Sequence, residues 1–218
     1  MTNTGTISAI GGPNRSSDEA AWGIAMWGST NIYGSVINSG TIQASTTEGS
    51  GKFSLGIRQL GTLTTLNNSG TISGSKVGVR NTGTITNFTN TGTITGTSEY
   101  SIENSDTGVI TNLHNSQNNL TFTGNLPTNY SVIINSASDY GKITFSSPSG
   151  SLNFAIHSSS SLTAGSYSAV MSGITASNIS SVSTGSIEKD GEIHRYSLTN
   201  STGTCLLYTS PSPRDLDL

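Results

Sequence analysis

Apolar and polar residues alternate in short runs along the first half of the chain, and the runs recur. The pentad N-[ST]-G-T-I stands at Asn3–Ile7, Asn38–Ile42, Asn68–Ile72, Asn81–Ile85 and Asn90–Ile94. Alternation with a period of two puts successive side chains on opposite faces of a strand. Recurrence at a fixed length predicts a solenoid, because one repeat cannot bury its own apolar face and must stack on the next. Gly56 and Gly78, Gly61 and Gly83, and Gly70 and Gly92 are each 22 residues apart. Gly40 and Gly70 are 30 apart, and the extra eight residues fall in Ala44–Lys52, a Ser/Thr/Gly-rich loop.

Aligned on this period, each coil holds three short strands. One column of strands carries Leu63, Ile85 and Ile110 inward; a second carries Ile42, Ile72 and Ile94; a third carries Ile57, Val79 and Ile102. Trp22-Gly23-Ile24 belongs to the third column at its N-terminal end. Outward positions hold Thr, Ser, Gly, Arg or Glu. Asn38, Asn68, Asn90 and Asn115 share one corner, and Gln59, Asn81 and Asn104 share another. Asparagine tolerates left-handed turns, and amides stacked about 4.8 Å apart can hydrogen-bond along the column. The glycine two residues later suits a tight corner. These columns predict an all-β fold. Residues 1–120 form a parallel β-helix of about four to five coils, right-handed from the twist preference of strands.

From Leu120 the repeat stops. Longer strands are predicted at Leu120–Phe122, Tyr130–Ile134, Lys142–Phe145, Ser151–Ile156, Tyr167–Met171 and Tyr196–Leu198. Turn signals separate them, among them Gly124-Asn125, Pro148-Ser149-Gly150 and Asp190-Gly191. Residues 121–204 therefore read as a β-rich module that covers the open end of the solenoid.

Composition narrows the function classes. Charged residues make up 10% of the 218, and the formal net charge is −3, so no basic surface exists for nucleic acid. No run of 18 apolar residues is present to span a membrane as a helix. Met1 is followed by polar residues rather than a basic and then apolar leader. The segment Cys205–Asp215 breaks with everything before it and holds the only cysteine. It matches the translation of a transposon-type DNA-sequencing adapter. Residues 205–218 are accordingly expected to form a non-native, disordered tail whose removal costs nothing.

The N-[ST]-G-T-I array, followed by Leu126–Asn135, Tyr140–Ile143 and Ser166–Gly173, resembles the passenger domains of Gram-negative autotransporters. The resemblance covers residues 1–204. It implies a secreted, cell-surface, structural or adhesive β-helix whose C-terminal module assists folding outside the cell, in the manner of an autochaperone. It also implies a signal segment upstream and a covalently linked outer-membrane barrel downstream, so that a truncated reading frame is expected. The expected partner is a surface ligand on a host, a cell or a polysaccharide, and the expected state is a monomer.

Candidate chemistry is sparse. His114, His157 and His194 lie in unrelated segments without metal-ligand spacing. Asp18-Glu19 sits in a polar loop, where solvation accounts for it. Arg58, Arg80 and Glu103 occupy one outward column and read as a solubilising file. Trp22 and Trp27 read as end packing rather than exposed stacking residues. No G-x-S-x-G elbow and no clustered carboxylates occur. The expectation is a non-enzymatic protein without catalytic, cofactor-binding or metal residues. The alternatives are an ice-binding solenoid, for which Thr62/Thr64 and Thr84/Thr86 would be the rungs, and a carbohydrate-active one.

Overall fold

The computed structural model describes residues 1–12, 19–47, 53–181, 184–189, 192–201 and 203–211. The described residues are almost all strand or turn, with one 3-10 turn at Ala176–Asn178. Parallel strands stack into three sheets, the arrangement of a β-helix. The first sheet runs through Thr2–Asn3, Ile32–Asn38, Thr62–Asn68, Thr84–Asn90, Val109–Asn115, Asn129–Val132, Leu152–Ile156 and Ile179–Ser181. The second holds Thr6–Gly11, Thr41–Thr46, Thr71–Gly74 and Thr93–Gly96. The third begins with Glu19–Met26, Phe53–Gln59, Val77–Asn81 and Tyr100–Asn104 and continues to the C-terminal end.

The registers are those the repeat requires. Ile7, Ile42, Ile72 and Ile94 pair in one file, and Ile24, Ile57, Val79 and Ile102 in another. Leu63, Ile85 and Ile110 form the third. Every member of these files from the second coil onward is fully buried. A further inward file, Val36, Leu66, Phe88, Leu113, Tyr130 and Phe154, runs through six strands of the first sheet. Glycine at 56 and 78 lets the second sheet close on the third, since a Cβ there would strike the Cγ2 of Ile72 and of Ile94. The expected insertion at Ala44–Lys52 begins inside the strand Thr41–Thr46, and residues 48–52 lie outside those described. Asp18 and the turn signal Asp190-Gly191 also lie outside them.

The asparagine corners are hydrogen-bonded ladders. Asn3 Nδ2 donates to Asn38 Oδ1 at 2.7 Å, Asn38 to Asn68 at 2.8 Å, and Asn68 to Asn90 at 2.8 Å. Each amide also reaches the carbonyl of the glycine two residues on and of a threonine in the next coil. A buried carboxamide with several partners offsets its own desolvation. In the other corner Asn81 donates to Asn104 at 2.8 Å, but Gln59 is one methylene too long for the pattern. Its Nε2 turns to Gly61 O, and its Oε1 is buried without a partner.

The expected boundary at residue 120 is not where stacking stops. Leu120–Asn125, Ile143–Ser149 and Gly165–Ser172 extend the third sheet in parallel, while Asn129–Val132, Leu152–Ile156 and Ile179–Ser181 extend the first. What ends near residue 117 is the second sheet, so that three-strand coils become two-strand coils. The side chain of Gln117 stands in for the missing strand. Its Oε1 accepts from Ile94 N at 2.8 Å and from Asn90 Nδ2 at 3.0 Å, and its Nε2 donates to Ile94 O at 3.1 Å. Closure with antiparallel strands comes later, over Thr184–Lys189, Glu192–Ser201 and Thr204–Pro211.

That last strand corrects the expectation of a disordered tail for residues 205–211; residues 212–218 lie outside those described. Thr204–Pro211 pairs with Gly165–Ser172 on one side and Glu192–Ser201 on the other. Cys205, Leu207 and Thr209 are buried, while Leu206 and Tyr208 are exposed. The physical reason is the alternation itself, which fits any half-buried strand position beside an open edge.

Three outcomes are expected. In chemical denaturation, Asn68→Ala loses on the order of 2–4 kcal/mol, because it breaks the ladder and strands buried partners. Gln59→Asn gains about 1 kcal/mol by completing its corner ladder. A Gln59→Asn variant less stable than the parent would show that the corner does not accept the shorter amide. Removing residues 205–218 lowers stability by on the order of 3 kcal/mol or more, since Leu207 and Cys205 leave a covered edge. Unchanged denaturation on trimming would show that the strand adds nothing.

Candidate functional site

The outward face of the third sheet carries a charged file, and its register is as expected. Ala25, Arg58, Arg80 and Glu103 pair in sequence along four strands. Arg80 Nη2 meets Glu103 Oε1 at 2.9 Å with both side chains largely covered. Lys76 and Glu99 pair alongside at 3.2 Å, more exposed. Exposed pairs of this kind contribute little stability.

The tryptophans depart from the expectation of end packing. Trp22 lies in the strand Glu19–Met26, and Trp27 directly follows it. Their rings meet edge to face at 5.3 Å. The guanidinium of Arg58 stands 4.6 Å from the centre of the Trp27 ring and 5.8 Å from that of Trp22. Trp27 is 45% exposed. Asn31 Nδ2 and Tyr33 Oη both donate to Trp27 O, at 2.7 and 2.5 Å, which fixes the turn that presents it. Two indoles beside a guanidinium form a platform for stacking a flat apolar face.

Two of the three histidines come together although their sequence positions do not suggest it. His114 and His157 lie with ring centres 4.5 Å apart. Burial and the neighbouring His157 push the His114 imidazole down to about 4. Burial also lowers His157, whose Nδ1 contacts Ser159 Oγ at 2.8 Å. His194 lies elsewhere, lining a cleft with Asn135, Ser161 and Lys189. Among the described residues no group of three His, Cys, Asp or Glu side chains converges on a point where a metal could sit. The Cys205 thiol is buried and pushed up to about 11, which removes it as a nucleophile.

A cleft of about 580 Å³ lies over the C-terminal antiparallel strands, between Thr184, Ser186, Arg195, Tyr196 and Tyr208. Among the described residues no acid–base pair lines it. On the second sheet Thr6, Thr41, Thr71 and Thr93 form a single outward threonine file. The neighbouring file reads Ser8, Gln43, Ser73 and Thr95, so no flat T-x-T plane exists there. Thr62 and Thr84 are followed in register by Val109. A third asparagine ladder, on the outward face of the first sheet, joins Asn87, Asn112, Asn129 and Asn153 at 2.9–3.0 Å. The sequence spacings of 25, 17 and 24 conceal it.

No family model, curated protein or solved structure matches the chain.

The histidine pair sets a pH dependence. A histidine whose folded pKa is lowered binds its proton only in the unfolded chain over the interval between the two values. Stability contributed by neutral His114 is therefore complete above about 6.5 and is lost as pH falls towards 4. The expected result is that the thermal midpoint of His114→Gln falls less than the parent's between pH 7 and 4. Parallel curves for the two proteins would remove the pair from the account.

Proposed function

We propose that this chain is the C-terminal part of a secreted, surface-displayed autotransporter passenger, a structural and adhesive β-helix rather than an enzyme. The observation that carries the reading is the mode of termination. Three-strand coils give way to two-strand coils at Gln117, and an antiparallel unit then closes the C-terminal end. Such a unit makes local contacts, which form before long-range stacking. It gives the parallel coils, whose strands pair across 17 to 35 residues, a preformed edge to add to. A chain leaving its cell through an outer-membrane barrel would need that order of folding, because no nucleotide-driven chaperone waits outside. The sequence resemblance to passengers and the neutral, serine- and threonine-rich outer faces support the same reading.

The adhesive part of the proposal rests on Trp27. An exposed indole held by a fixed turn suits the flat face of a saccharide ring. The solvent-facing threonine and asparagine files offer hydrogen bonds but no recess to orient a substrate for chemistry.

The two parts are tested separately. Refolding kinetics of the full chain read the first. Leu198→Ala, in the closing unit, should slow refolding, and Ile42→Ala, in the second coil, should mainly speed unfolding. The reverse partition would defeat the folding role. Binding of the parent and of Trp27→Ala to immobilised polysaccharides reads the second. A loss of tenfold or more in Trp27→Ala is expected. Equal binding by the two, or binding by neither, would exclude this platform as the adhesive site.

A further inference from the structure

The two ends of the solenoid are not equivalent. At the C-terminal end the corner ladder finishes on Gln117, whose carbonyl accepts from Asn115 Nδ2 at 2.8 Å and whose side chain satisfies Ile94. At the N-terminal end Thr2–Asn3, Thr6–Gly11 and Glu19–Met26 are each the outermost strand of their sheet among the described residues.

Three observations at that end point to what fits it. The first is stereochemical. A Cβ on Gly40, Gly70 or Gly92 would run into the carbonyl of the corner glycine one coil earlier, namely Gly5, Gly40 or Gly70. Gly5 occupies the same corner and has open space where the others have that carbonyl. Its φ is not left-handed, so neither local conformation nor a neighbour explains why it lacks a side chain.

The second is the ladder. Asn38, Asn68 and Asn90 each donate Nδ2 to the Oδ1 of the following coil and accept from the preceding one. Asn3 donates to Asn38, and no donor among the described residues reaches its Oδ1, although the residue is 8% exposed. The third is the core. Ile7, Ile24 and Tyr33 are only partly buried, whereas their counterparts one coil on, Ile42, Ile57 and Leu63, are fully buried. Ile32 and Ile10 are 79% and 71% exposed beside them.

We propose that this edge is an acceptor for one further coil of the N-[ST]-G-T-I kind, laid parallel to the first three strands. Its asparagine donates Nδ2 to Asn3 Oδ1, and its glycine carbonyl fills the space above Gly5. The inference stands on this geometry alone and is independent of the adhesive and secretory reading. A second copy of the chain does not meet the requirement. Packed through a twofold axis it would present antiparallel strands and set Asn3 Oδ1 against Asn3 Oδ1. Packed head to tail it would offer the antiparallel end, where no parallel carboxamide file remains.

The test inserts a copy of residues 68–89 directly before Asn3 in the full chain, so that Asn3 takes the place Asn90 has in the original. The expected result is a thermal midpoint raised by about 5 °C or more, as a buried coil replaces an open end. Gly5→Ala is then made in both proteins. In the parent it should leave the midpoint unchanged or slightly higher, because open space faces the new methyl. In the extended protein it should lower the midpoint clearly, as Gly40→Ala does in the parent. An insertion that lowers the midpoint or leaves it unmoved overturns the proposal. So does a Gly5→Ala effect that is the same in both proteins. A parent that sediments as a dimer and loses Trp27 exposure on dimerising overturns it as well, since a second copy would then cover the edge.

Discussion

Parallel strand pairing fixes the distance between one coil and the next at about 4.8 Å, and most of the molecule follows from that distance. At that spacing a side chain sees its counterpart in the next coil more closely than any other residue. Apolar residues are therefore sorted into files of matched size, such as Ile42, Ile72 and Ile94. A polar residue can be buried only if its partner above or below completes its hydrogen bonds. Asparagine meets the condition because its carboxamide carries donor and acceptor at the same height, so one amide can serve both neighbours. Glutamine in the same kind of corner does not, and Gln59 Oε1 is left unpaired. The corner glycines obey the same distance, for the carbonyl of each coil lies where a Cβ of the next would be.

The repeat made the regular part legible. Strand columns, inward files and both asparagine corners follow from a 22-residue period, because register in a parallel stack is sequence spacing and nothing else. The same logic explains what escaped. Past Asn115 the coil lengths change, and the ladder Asn87, Asn112, Asn129 and Asn153 is joined across unequal spacings. His114 and His157 meet across the same irregular region. The loss of the second sheet hangs on Gln117, and one glutamine side chain replacing a strand leaves no periodic trace. Trp27 was misread because its exposure is decided by the turn at Asn31 and Tyr33, a local geometry that alternation does not report.

The strand Thr204–Pro211 teaches a separate lesson about what a fold recognises. Its residues break with the composition of the rest, which argued for disorder. Composition measures how a segment differs from its neighbours, whereas an open sheet edge selects for alternation and for backbone groups to pair. Cys205, Leu207 and Thr209 point inward at every second position, and the edge of Gly165–Ser172 accepts them. Origin is not a physical property of a segment, and burial is.

Stacking also explains why the functional site is harder to read than the fold. Outward side chains in a solenoid are bound by no packing rule, so a threonine or serine file records solubility as readily as recognition. Specificity then has to come from a break in the file. Here the break is at the N-terminal end of the third sheet, where Arg58 and Arg80 in the charged file follow Ala25 and the tryptophans gather beside Arg58. The indole pair is held edge to face, and its turn is fixed by hydrogen bonds to Trp27 O. A platform fixed in this way loses little conformational entropy when it engages a ligand. Rigidity supplied by the coils beneath, rather than a recess, is what such a surface can offer for binding.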